Sequence, residues 1–281
     1  QGLKGVEEYL QGLADSANAV AKGNLAVDIT PLSDKDELGI AFRDMLFALR
    51  QSMGDANNKV NYLNQIPTPV FAVDRDMKVV YINPAGSRIV GKSQHDCAGM
   101  RCSSLMNTPH CNTSECRVAR ALQSGRVESS DTIASLPGGK LPIRYYGAPL
   151  KDASGNIYGA LEYAVDITEE NNAVSQVEKM VAAALEGNLS VRGNPNDFSS
   201  NGFISLIKGM NATMDAVVTP LEEVSSVMDL IASGDLTTQV KGDYKGMFGR
   251  LKDAANTMVS TLHNLVKNLA DKADKLVTSA K

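Results

Sequence analysis

Tryptophan is absent from the 281 residues, and phenylalanine and tyrosine bring the aromatic share only to 5%. That scarcity suits helical bundles better than an all-β core, whose packing leans on large flat side chains. No window approaches 18 uninterrupted apolar residues, which excludes a transmembrane helix within this stretch. The net charge of −4, without any run of Lys or Arg, excludes a basic face for nucleic acid. A secretory signal is missing too, and Gln1 opens directly into helical pattern, as expected of a segment cut from a longer protein in reducing cytosol. Histidine occurs only as His95, His110 and His263. No Ser-His-Asp arrangement, Walker-type phosphate loop or Cys-x-x-Cys-His haem motif is present, so no enzyme is expected.

What is present is 43% apolar and 21% charged, the composition of globular or coiled protein, with room for about two domains. The stretch from Phe203 to Leu276 organises the rest. Phe203, Ile207, Met210, Met214, Val217, Leu221, Val224, Met228 and Ile231 recur at alternating steps of four and three. After a break the rhythm returns in Phe248, Leu251, Ala255, Met258, Leu262, Leu265, Leu269 and Leu276. Such a heptad seam marks helices that coil around partners. The break holds Gly234-Asp235-Leu236, and it has relatives in Gly23-Asn24-Leu25 and Gly187-Asn188-Leu189. Three copies of one helix breaker are an internal repeat.

In the first copy Val6, Leu10, Leu13, Ala17 and Val20 form a seam that Gly23 stops. Leu25, Val27 and Ile29 alternate like a short extended segment, and a second seam follows in Leu38, Phe42, Met45, Leu49 and Met53. Asp36 and Glu37 favour the helix dipole, which predicts a start near Ser33 or Asp34. A helix of about 16 residues rises roughly 24 Å, and about eight extended residues run back along that length. The two helices are therefore expected to be parallel, with a second copy of the chain closing a four-helix bundle. These features resemble the HAMP domain of bacterial and archaeal receptors, carried by Gly23-Asn24-Leu25, the connector, Asp36-Glu37-Leu38-Gly39 and the Met/Leu seam. Residues 219–266 are similar, with Pro220 opening the first helix, then Gly234-Asp235-Leu236, Val240 and the Phe248 seam. Residues 169–218 are a divergent relative, keeping Gly187-Asn188-Leu189 and Val191 but reading Asn194-Pro195-Asn196-Asp197 in the connector. Phe203 to Ile231 keeps register across the second and third copies, which predicts one continuous helix with Pro220 as a point of kinking.

Between the first two copies the pattern shortens. Val70–Asp74 and Lys78–Asn83 read as a hairpin, Asn83-Pro84-Ala85 opens a helical stretch, and Val118–Leu122 is a short helix. Strands follow at Val127–Leu136, Leu141–Leu150 and Ile157–Ile167. Residues 62–168 resemble a PAS sensor domain, carried by Pro67-Thr68-Pro69-Val70, Tyr81-Ile82-Asn83-Pro84-Ala85 and the closing Val165-Asp166-Ile167-Thr168. The expected architecture is thus α+β: a PAS domain with an antiparallel sheet and short helices, set between parallel dimeric HAMP bundles and coiled-coil helices. The expected order is HAMP at 1–54, PAS at 62–168, HAMP at 169–218 and 219–266, and the start of a coiled-coil signalling helix at 267–281.

The four cysteines form one run, Cys97-x4-Cys102-x8-Cys111-x4-Cys116, with His95 and His110 beside two of them. Asn107-Thr108-Pro109 and Asn112-Thr113-Ser114 supply the loops that convergence requires, and Cys116 stands near a helix N-terminus, where a thiolate is stabilised. Three readings stay open: a zinc or iron–sulfur site, a reversible dithiol with Cys111 paired to Cys116 or Cys102, and cysteines packed as small apolar residues. Zinc or iron–sulfur stand ahead of haem or flavin as cofactors.

The resemblance extends to the cytoplasmic part of methyl-accepting chemotaxis proteins. It implies a non-catalytic module in which PAS senses a small ligand, a metal or redox state and HAMP bundles relay the change as helix rearrangement. It also implies a parallel homodimer, a chemotaxis histidine kinase and adaptor as partners of the whole receptor, and a place on the cytoplasmic side of an inner membrane or fully in the cytoplasm, with membrane contact only through segments outside this stretch. Asp166, Ile167, Thr168, Gly23, Glu37, Gly187, Pro220 and Gly234 are the expected coupling positions. The alternatives are the sensor region of a histidine kinase or cyclase, or a cysteine-based redox or metal-binding protein.

Overall fold

The computed structural model describes residues 2–279, so Gln1, Ala280 and Lys281 lie outside it. The chain divides into two compact units between Asp166 and Ile167. The first unit opens with helix α1, Gly2–Ala21, and helix α2, Glu37–Gln65. Gly23 has φ +87°, as do its relatives Gly187 at +84° and Gly234 at +94°. A side chain with a Cβ is strained in that left-handed region, so the repeated glycine ends each first helix by the same means. The second helix starts at Glu37, later than Ser33 or Asp34, because Asp36 is its N-cap: the carboxylate accepts the Gly39 N–H at 2.9 Å and the Leu32 N–H at 2.9 Å. It also runs past residue 54, reaching the α+β domain without a break.

That domain is a five-stranded antiparallel sheet in the order β2-β1-β5-β4-β3. Its strands are β1 (Val70–Asp74), β2 (Val79–Ile82), β3 (Glu128–Leu136), β4 (Gly139–Lys151) and β5 (Ile157–Asp166). Helices α3 (Pro84–Val90), α4 (Gln94–Cys97), α5 (Cys102–Met106) and α6 (Arg117–Ser124) cover one face. The core between sheet and helices contains Phe71, Val73, Ile82, Met106, Val118, Ile143 and the buried Cys97, Cys102 and Cys116. Each strand sends alternate side chains inward. On β5 these are Ala160, Glu162 and Ala164, all buried.

The second unit holds helices α7 (Thr168–Leu185), α8 (Asn201–Ala232) and α9 (Gly246–Ser279). The expected continuous helix is α8, which carries Pro220 inside it. Each connector lies along its helices as its apolar rungs require. Val240 is 2% exposed against Val227, Ala255 and Val259, and Phe198 packs with Ala173 and Ile207. The faces left over are the heptad seams. Leu10, Met45, Met258, Leu265 and Leu276 are exposed, and α1 and α2 line an apolar groove of about 460 Å³. Among the described residues no helix is long and apolar enough to cross a membrane.

Candidate functional site

The site grows from one polar residue on an apolar face. Glu162 lies mid-strand on β5, opposite Phe71 of β1 and Gly147 of β4, and is 3% exposed. Gly147 is small for a reason: a Cβ there would stand 2.6 Å from the Arg117 carbonyl oxygen and 2.7 Å from the Val118 Cα. The start of α6 therefore sits directly on β4 and brings Cys116, its N-cap, into the core. Cys102, the first residue of α5, donates its thiol proton to Glu162 Oε2 at 2.9 Å.

Burial holds the Glu162 carboxyl above the usual carboxylate range. It also pushes the Cys102 thiol well up, with the Glu162 charge as the next cause. In both groups burial favours the neutral form, as a low-dielectric interior does for any acid. Next to the pair, Tyr145 projects from the core face of β4 and is 3% exposed. Its hydroxyl accepts the Arg117 N–H at 3.1 Å, donates to the Glu115 carbonyl at 3.3 Å and lies 3.0 Å from His110 Nδ1. Burial pushes the Tyr145 phenol up to about 12.

Cys97, Cys102 and Cys116 are buried in the core between sheet and helices, and Cys111 is half-buried. All four are free thiols. Cys111 Sγ accepts the Thr108 N–H at 3.3 Å, in a loop turned by Asn107 and Asn112 at positive φ. The expected thiolate at Cys116 is not favoured. The Ala119 and Val118 N–H groups do lower its pKa, but burial outweighs them and raises it. His95 is fully exposed beside Asp96, and His263 is exposed on α9. Among the described residues no three of His, Cys, Asp and Glu are arranged to hold a metal ion.

The expected coupling positions fall at or beside element ends, except Pro220. β5 finishes at Asp166, opposite Ile143, and Ile167 caps α7, which begins at Thr168. Glu37 is exposed on the first turn of α2, and Pro220 is buried within α8. The sequence reading missed the residues that hold each connector. In the first copy the Tyr9 hydroxyl donates to Asp36, and Gly39 leaves room for both. In the second, Glu169 accepts the Ser199 and Ser200 N–H groups at 2.7 and 3.1 Å. In the third, Glu223 accepts the Tyr244 hydroxyl at 2.5 Å and the Lys241 N–H at 2.7 Å. Asn211 and Asn256 each grip a connector residue by both backbone groups, Gly193 and Val240, at 2.8–3.0 Å.

With this geometry in hand, comparison with known proteins gives three family matches. The HAMP domain family matches residues 9–51 and again, in a second description, residues 200–264. The PAS fold matches residues 63–172. The matched segments thus stand in the order HAMP, PAS fold, HAMP along the chain. Methyl-accepting chemotaxis protein McpB of Pseudomonas aeruginosa is 27% identical over 226 residues, covering 77% of this chain. The chain spans 32% of that relative's length. Among solved structures it is similar to the PAS domain of nitrogen regulation protein NR(II) from Vibrio parahaemolyticus, at 19% identity over 37% of this chain and 94% of that one, with TM-score 0.32. It is also similar to the Vibrio cholerae VqmA dimer, at 20% identity over 41% and 54%, with TM-score 0.36.

Proposed function

We propose that the PAS core senses and the HAMP helices relay. The division is HAMP at 1–54, PAS at 62–168, a divergent HAMP at 169–218, HAMP at 219–266 and a coiled-coil signalling helix from 267. The observation that carries the reading is the continuity of β5. The strand bears Glu162 in the polar core and passes, through Ile167 alone, into the first helix of the following HAMP copy. A small ligand, a metal or a change of thiol redox state at the Cys102–Glu162 pair alters the strand face from which that helix departs. Asp166, Ile167 and Thr168 carry the change onward, and Gly23, Gly187, Gly234, Glu37 and Pro220 mark where the helices break, start or bend.

The exposed seams fit a parallel homodimer, because helix faces of this apolar width need a partner. In the whole receptor the output is control of a chemotaxis histidine kinase through its adaptor, on the cytoplasmic side. The test uses the full-length receptor with kinase and adaptor. Glu162→Gln should shift kinase output, and adding Asp166→Ala should cancel the shift while the PAS domain stays folded. A shift that survives Asp166→Ala rejects the relay route.

A further inference from the structure

The helix that enters the PAS domain is tied to it by a residue that the relay above does not use. A helix C-terminus leaves its last carbonyls without intrahelical partners. The C-cap of α2, Ile66, is extended and not left-handed, so the last turn has no glycine-type cap. The Ile66 N–H bonds the Leu63 carbonyl at 3.3 Å, and Asn83, the N-cap of α3 and completely buried, adds further bonds. Its Nδ2 donates to the carbonyls of Leu63 at 3.2 Å, Ile66 at 3.1 Å and Thr68 at 2.9 Å. Its Oδ1 accepts the N–H groups of Gly86 at 2.8 Å and Val70 at 3.0 Å. One amide thus holds the end of α2, the start of β1 and the start of α3, using both donors and both lone pairs. A second set of bonds backs it: Asn64 Oδ1 accepts the Tyr81 hydroxyl at 2.9 Å and Gln94 Nε2 at 3.4 Å.

We propose that Asn83 is the positioning residue of an entry coupling, fixing the end of α2 to the β1–β2 hairpin so that the two move as one. The path onward is short. Val70, held by Asn83, pairs with Tyr163 on β5, and the adjacent Phe71 pairs with Glu162. A displacement of α2 is therefore delivered to the strand that bears the polar core, which makes the first HAMP copy an input to PAS as well as a neighbour of it. This coupling stands whether or not β5 relays to α7.

Asparagine to aspartate separates coupling from capping. Asn83→Asp keeps oxygens for Gly86 and Val70 but loses every bond to Leu63, Ile66 and Thr68. Hydrogen exchange on the whole chain should show amides 60–66 opening on the order of 10-fold faster, while Gly86 and Ala160–Ala164 stay unchanged. Unchanged exchange at 60–66 overturns the proposal, and so does an equal rise throughout the PAS domain, which marks a purely structural role. Should Asn83→Asp fail to fold, Asn83→Ser decides, being uncharged and still a helix cap but too short for the three carbonyls: a rise confined to 60–66 supports the coupling, and none, or one spread over the domain, overturns it.

Discussion

Replacing Glu162 by glutamine should stabilise the PAS domain at neutral and alkaline pH and do little in acid. Burial raises the carboxyl's pKa above its unfolded value of 4.5, and the bond from Cys102 only partly offsets this. The sign follows from that direction. A raised folded pKa means the group's contribution is fully present below about pH 4.5 and is lost as pH climbs through the folded value. Glutamine keeps the volume and an oxygen for the Cys102 thiol, and it cannot ionise. Its neighbours on the same face, Ala160 and Ala164, add no hydrogen bond to the one from the Cys102 thiol. A raised folded pKa means that ionising the buried carboxyl costs stability, a cost glutamine escapes, so the variant should be on the order of 1 kcal/mol better off relative to the parent at pH 8 than at pH 4. Five of the eight tyrosines lie between Tyr81 and Tyr163, so near-ultraviolet tyrosine dichroism during urea unfolding reads this domain. A variant no more stable than the parent at pH 8, or a gap independent of pH, refutes the assignment.

Three further outcomes are expected. Asn256→Ala should release the Val240 backbone and cost about 1–3 kcal/mol locally, seen as faster exchange at Val240 with Gly193 unaffected. Hydrogen bonds hold Asp36, Glu169 and Glu223 below their ordinary pKa values, so the connector clamps should be intact above about pH 4.5 and loosen as pH falls further. Exchange at Leu32, Ser199 and Lys241 should report this, and Asp36→Asn should remove the pH dependence at Leu32 alone. A cysteine introduced at Met258 or Leu262 should crosslink to its own copy in a second chain, and a monomer at micromolar concentration without crosslink contradicts the homodimer.

The helices and strands were legible because their periods are. Alternating steps of three and four gave α8 and α9, and alternation by two gave the hairpin and the last three strands almost to the residue. Burial on two sides explains what was missed. Asp36 looked like a favourable first-turn charge, but its carboxylate is the cap and also receives Tyr9, a contact across 27 positions that no local pattern encodes. Glu162 had a signal, since it interrupts the inward set of Ala160 and Ala164, yet a strand pattern alone assigns an acid to solvent. The sequence marks Asn83 only as the end of the hairpin and the opening of a helix. Its burial and its three carbonyl partners depend on where α2 ends, which the sequence left open between residues 54 and 62. The cysteine run illustrates another limit, since its spacing does not tell that Cys97, Cys102 and Cys116 are buried in one core or that Cys102 bonds Glu162.

The central claim is that a change in the PAS core reaches the helices beyond Ile167. Hydrogen exchange along α7, α8 and α9 tests it with this chain alone, comparing the parent, Glu162→Gln and the Glu162→Gln/Asp166→Ala pair. The account predicts altered exchange in the seams from Phe203 to Val259 in the single variant and a return to the parent pattern in the pair. Identical exchange beyond Ile167 in all three chains would contradict it.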